Sequence, residues 1–155
     1  YRRGLLPEPE REFYISGDAF VKDWIIKVRN DVPDAPVLVT AGGLLHYFEE
    51  NKVISLLRMI GQSGNMEVVF DTVNKKGMAM MQKKYMKQVG HADAQMFFYV
   101  DAAKELAAKI RGNVKVIAEE PYYRYIPKNG LKLSTKVSMA VSDQFKMVKM
   151  IHLKL

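Results

Sequence analysis

The chain contains no cysteine. That absence excludes a disulfide framework, cysteine-ligated zinc, an iron–sulfur site and a cysteine nucleophile. It fits a reducing compartment, and a cytoplasmic location is the expectation. No stretch reaches the roughly 18 uncharged apolar residues that a membrane-crossing helix needs, so no membrane partner is expected. There is no internal repeat, no low-complexity tract and no basic-then-apolar leader. Acidic residues are scarce in the second part. Residues 1–70 carry 8 basic and 10 acidic groups, net −2, whereas residues 71–155 carry 16 basic and 7 acidic groups, net +9.

What is present is a balance of 48% apolar and 26% charged residues over 155 positions, which fits one folded domain and excludes disorder as the main state. The lysines of the second part alternate with Met, Val and Leu. They read either as solvated faces or as a surface that attracts nucleic acid or an acidic partner. The chain opens on Tyr1-Arg2-Arg3-Gly4 and reads as if it starts inside a domain.

Hydrophobic spacing predicts alternating strands and helices. Residues 12–16, aromatic and β-branched and stopped by Gly17, read as a strand. Residues 20–30 place Phe20, Trp24, Ile25 and Val28 at helical spacing. The continuous apolar run 36–41 predicts a strand covered on both faces, as in parallel sheets. Residues 49–62 put Val53, Leu56, Leu57 and Ile60 on one helical face, ended by Gly61 and Gly64. A strand over 66–72, helices over 75–88 and 101–111, and strands over 114–118 and 147–155 complete the pattern, with Asp101 as an N-cap and Gly112 as a helix stop. The expected fold is α/β, with right-handed crossovers and a mostly parallel sheet. In such sheets ligands lie outside the carboxyl ends of the strands. That rule selects Gly17-Asp18-Ala19-Phe20, Ala41-Gly42-Gly43-Leu44 and Phe70-Asp71-Thr72, and it predicts that Asp18, Gly42, Gly43 and Asp71 converge.

Several segments together carry a resemblance. They are Phe13-Tyr14-Ile15-Ser16-Gly17-Asp18-Ala19-Phe20 with Trp24; Pro36-Val37-Leu38-Val39-Thr40-Ala41-Gly42-Gly43-Leu44-Leu45-His46-Tyr47-Phe48-Glu49-Glu50; and Glu67-Val68-Val69-Phe70-Asp71-Thr72. Phe97-Phe98-Tyr99 and the closing Lys149-Met150-Ile151-His152-Leu153 add to it. The set resembles the leucine carboxyl methyltransferase family, especially its bacterial polyketide-synthesis O-methyltransferases. The resemblance implies a Rossmann-like class I methyltransferase sheet, mostly parallel with an antiparallel C-terminal strand, S-adenosylmethionine as cofactor and a small-molecule methyl acceptor bearing a hydroxyl or carboxylate. It places residues 1–155 on the later part of one methyltransferase domain, with a cap or lid over about 74–100. The family's Gly-rich strand–loop–helix and acidic second strand precede that part, so this chain alone is expected to be inactive and to bind the cofactor weakly.

The resemblance also assigns roles. Asp18, Ala19 and Phe20 fall at the adenine end of the cofactor, although Asp18 is equally suited to cap the helix that follows. Ala41, Gly42 and Gly43 fall beside the cofactor's methionine part, or form only a tight turn. The family commonly has glutamate where this chain has Gly42. His46 and Tyr47 follow on the same loop, where either could orient an acceptor or act as a base; a lone histidine is also a frequent structural residue. Asp71 is read as a substrate contact, together with Tyr47, or as a brace for the loop. No metal site is expected, and His91 and His152 read as structural or solvated. Met78, Met80, Met81 and Met86 with Tyr85 read as core filling or as an adaptable lid. Tyr122-Tyr123-Arg124-Tyr125 reads as packing, or as too short a stacking surface to hold nucleic acid by itself. The rival to an enzyme is a non-catalytic methyltransferase-like module that binds a nucleic acid or acidic partner through the basic second part.

Overall fold

The computed structural model describes residues 2–5, 10–85 and 95–155. The chain forms two compact units, Tyr1–Pro33 and Asp34–Leu155. The second holds a four-stranded sheet of β1 (Val37–Ala41), β2 (Met66–Val73), β3 (Lys115–Pro121) and β4 (Val148–Lys154), in the order β1-β2-β4-β3. β1 pairs with β2 in parallel, Val37 opposite Met66 and Ala41 opposite Phe70. β4 runs antiparallel to both β2 and β3. Three strands therefore share one direction and the last strand in sequence runs against them, as expected from the sequence. Among the described residues β1 lies at one edge of this sheet.

The helices of this unit are α3 (Glu50–Gly61), α4 (Lys75–Met80), α5 (Ala103–Ile110) and α6 (Leu133–Gln144). They follow α1 (Arg2–Leu5) and α2 (Asp23–Asp31) of the first unit. Strand alternation explains the core. Val68 and Phe70 of β2 share one sheet face with Ile151 and Leu153 of β4, and all four are buried. Val53, Leu56, Leu57 and Ile60 of α3 are buried against that side, as are Leu106 and Ile110 of α5, and the two helices touch each other. Truncating one of these leucines to alanine costs about 2–5 kcal/mol.

The structure corrects several expectations. Residues 12–16 form no strand, because no neighbouring chain among the described residues supplies a ladder. The helix expected from residue 20 starts at Asp23, after a turn. Asp101 is not the cap of α5; Ala102 holds that position, and the Asp101 carboxylate accepts the Lys75 N–H at 2.9 Å instead. α4 passes into a π-helical turn over Met81–Tyr85. Met86, Lys87, His91 and the end of the helix expected over 75–88 lie outside the described residues. Residues 122–125 form turns after β3, which extends to Pro121 rather than ending at 118. α6 was not expected: it is seated through Met139 and Ser142, while Leu133, Val137 and Val141 face outward.

Two polar locks hold the carboxyl side of the sheet. Lys149 is buried on β4, and its ammonium donates to Glu119 Oε1 at 2.7 Å and to the Asp101 carbonyl at 2.8 Å. Glu119 Oε2 accepts the Ala103 N–H, the first of α5, at 3.1 Å. Burial opposes the Glu119 charge, but Lys149 and the Ala103 N–H together outweigh it, and its pKa lies below the ordinary value. The second lock is Asn74. Its side chain caps α4 by accepting the Gly77 N–H at 2.7 Å, and donates to the Phe145 carbonyl at 3.0 Å. Its own N–H donates to the Met147 carbonyl at 3.0 Å. Gly77 lies so close to that carbonyl that a Cβ there would collide with it.

Candidate functional site

The carboxyl ends of β1 and β2 lie side by side because those strands pair in parallel. After Ala41 the chain turns through Gly42 and Gly43, the latter with φ of 63°. A side chain strains in that left-handed region, so glycine suits it. The Gly43 N–H donates to Asp71 Oδ1 at 2.6 Å. Two of the three strand ends singled out in the sequence are thus joined by a charge-assisted hydrogen bond. A Cβ at either glycine would meet nothing within 4 Å, which leaves the main chain approachable.

Leu45–Tyr47 forms a short 3-10 turn directly afterwards. It buries Leu45 and His46 and leaves Tyr47 half-exposed. The His46 and Tyr47 rings lie 4.4 Å apart, tilted by 54°. The His46 carbonyl accepts the N–H groups of Phe97 and Phe98 at 2.8 and 3.3 Å, which fixes the turn against the later chain. Burial pushes the imidazole pKa below its ordinary value, and the nearby Asp71 carboxylate opposes that shift. His46 is therefore neutral at pH 7. One ring nitrogen of a neutral imidazole has a lone pair and can accept a proton.

Asp18, Ala19 and Phe20 belong to the first unit and form a turn of their own. Asp18 Oδ1 accepts the Phe20 N–H at 2.9 Å, and the Asp18 carbonyl accepts the Val21 N–H at 3.1 Å. The Ala19 carbonyl takes the Trp24 indole N–H at 2.9 Å. Asp18 thus caps this turn and not α2, whose N-cap is Lys22. The structure brings Ala41, Gly42, Gly43, His46, Tyr47 and Asp71 together within one unit; the Asp18 turn lies in the other. His152 is half-buried and pairs with Glu67 at 2.7 Å, a structural role. Among the described residues no group of three or more His, Asp or Glu could hold a metal ion, and no helix is long and apolar enough to cross a membrane.

Sequence reasoning missed the two polar locks behind this edge. Asn74 carried a readable signal, a capping residue between an apolar strand and a helix. Lys149 carried one too: it shares the inward phase of Ile151 and Leu153, and an inward lysine requires a carboxylate.

Comparison with known proteins agrees with this architecture. No family model matches the chain. It is 32% identical, over 117 residues, to a protein named S-adenosyl-L-methionine-dependent methyltransferase dpfgK from Gibberella zeae. The match takes in 68% of this chain and 38% of that protein, so the chain spans well under half of the curated relative's length. Among solved structures it is similar to a DUF574 family protein from Streptomyces avermitilis, with a TM-score of 0.62 at 11% identity, over 98% of this chain and 59% of that one. At that identity the likeness concerns the fold. The sheet is of the Rossmann-like α/β kind.

Proposed function

We propose that this chain is part of an S-adenosylmethionine-dependent O-methyltransferase of the cytoplasm, akin to the polyketide-synthesis branch of the leucine carboxyl methyltransferases. Its acceptor in this reading is a hydroxyl or carboxylate of a polyketide-like small molecule. The observation that carries the reading is the Gly42-Gly43 turn joined to Asp71 at the carboxyl ends of paired parallel strands, in a chain 32% identical to a named methyltransferase.

The residues present suit the cofactor. The open main chain at Gly42 and Gly43 suits its methionine part; the adenine role of Asp18, Ala19 and Phe20 rests on the family resemblance. Bound S-adenosylmethionine supplies a methyl group on a sulfonium. The protein's part is to align the acceptor and exclude water. Tyr47, half-exposed, and Asp71 orient the acceptor. Neutral His46 takes the proton when the acceptor is a hydroxyl; a carboxylate is already ionised and needs no base. Helix α4, with Met78 and Met80, contributes to a cap over the acceptor.

Calorimetric titration of the full-length protein with S-adenosylmethionine and its demethylated product tests the reading. Saturable one-to-one binding, weakened by Asp18→Ala and by Gly42→Val, is expected. No saturable binding of either ligand would sink it.

A further inference from the structure

Two hollows meet at the end of the sheet opposite Gly43 and Asp71. They share Arg111, Gly112 and Val114. One encloses about 360 Å³ between Leu57, Ile110, Val114 and Leu155. Its neighbouring cation, Arg58, is already engaged: the guanidinium donates to the Ile110 and Lys109 carbonyls at 2.7 and 2.6 Å and closes the C-terminus of α5. The other hollow, about 590 Å³, runs along α5 and the unpaired edge of β3, past Lys104, Arg111 and Lys115. No aspartate or glutamate lines either hollow. Among the described residues none of these three cations is in an ion pair.

Three cations elsewhere in this unit have carboxylate partners. Lys109 pairs with Glu50, Arg124 with Glu120 and Lys154 with Glu67. Here three cations line the joined hollows with no aspartate or glutamate among the lining residues. Arg111 also has φ of 68° and ψ of 169°, a combination that glycine adopts and side-chain-bearing residues avoid. An arginine held there at a conformational cost, beside two unpaired lysines and an apolar hollow, calls for an anion with an apolar body.

We propose that these joined hollows bind a single-chain anionic amphiphile, an alkyl carboxylate, with its head group among Lys104, Arg111 and Lys115 and its chain against Leu57, Ile110, Val114 and Leu155. The volumes fall in the range of small-molecule sites. β3 begins at Lys115, and β4, running the other way, ends beside Leu155. The site is thus at the amino ends of β1–β3 and separate from the methyl-transfer edge.

The probe is decanoate, titrated calorimetrically into the full-length protein below its aggregation limit, with acetate and decyltrimethylammonium as controls. Saturable one-to-one binding of decanoate is expected, with both controls at least about tenfold weaker. Arg111→Gly removes the cation while keeping the backbone conformation. It should weaken decanoate about fivefold or more and leave the urea midpoint unchanged or higher. Val114→Glu, which puts a carboxylate where the hollows join, should weaken it comparably. Equal binding of acetate would reduce the site to an anion patch, and equal binding of the ammonium to unselective apolar contact. Either result overturns the proposal, as does the absence of saturable decanoate binding or an Arg111→Gly protein that binds as before.

Discussion

Asp71 and Lys149 sit on neighbouring rungs of the same β-ladder. Asp71 is opposite Met150, and Lys149 is opposite Thr72. The one-residue offset sends their side chains to opposite faces. Lys149 points into the helix-covered face, where Glu119 and the Asp101 carbonyl engage its ammonium. Asp71 points the other way, to a glycine turn, and holds that turn through Gly43. One charge is enclosed and fixes the scaffold. The other remains partly solvated and positions a loop open to a ligand. The same sheet thus uses burial to separate a structural ion pair from a partly solvated carboxylate on the next rung.

The largest effect expected from breaking this contrast is at Lys149. Lys149→Met leaves Glu119 without its partner in a site with little water. It should cost about 3 kcal/mol, at the low end for a broken buried pair because Glu119 keeps some solvent contact. Urea unfolding measures it, and Lys149→Met with Glu119→Leu should recover most of the loss. A single-variant cost under about 0.5 kcal/mol would place Lys149 among ordinary surface lysines. The pH dependence has a definite sign. Glu119 is depressed in the folded state, so its contribution is present above the unfolded value of 4.5 and is lost as pH falls through the lower folded value. The Lys149→Met protein should lack that acid-side loss.

A smaller effect is expected at the brace between the two regions. Gly77→Ala drives a methyl group into the Met147 carbonyl and so pushes apart α4 and the chain entering β4. Overpacking of this kind costs about 1–3 kcal/mol, against a helix-propensity gain of up to about 1 kcal/mol. Net destabilisation in thermal unfolding is the expected outcome. A stabilised variant would show that the Asn74–Met147 contact yields easily.

Much of this was readable beforehand, and the failures have physical causes. β2 and β4, with α3 and α5, followed from apolar runs and 3.6-residue spacing, because each buries one face against a neighbour; β1 formed where its apolar run lies but is not covered on both faces as expected, since Leu38 is exposed. The pairing of Gly43 with Asp71 followed from the rule that parallel strands end on one side. The run 12–16 has strand composition, but composition cannot provide a partner strand. α6 was missed because Leu133, Val137 and Val141 lie outward among serines, so its inward face shows only Met139 and Ser142. Asp101 has the composition of a cap, but Lys75, distant in sequence, takes its carboxylate. Lys149 was grouped with solvated lysines, because residue type outweighed its position in the strand alternation.

The smallest and most discriminating change is Asp71→Asn. The amide oxygen can still accept the Gly43 N–H, so the turn should stay in place. Exchanging a charge-assisted hydrogen bond for a neutral one should cost about 1 kcal/mol or less. The informative readout is His46. Burial holds its imidazole below the ordinary value of 6.5, and the Asp71 charge is the influence that raises it. Removing that charge should move the His46 pKa further down, as followed by the imidazole proton or carbon resonances. A histidine depressed in the folded state gives stability that is present above 6.5 and declines as pH falls towards the folded value. In Asp71→Asn that decline should extend to lower pH and become larger. An upward shift of His46, or none, would mean that Asp71 does not face the imidazole, and the pairing of a proton acceptor with a glycine turn at this edge would fail. A downward shift with the fold intact would show one carboxylate serving both the turn and the histidine.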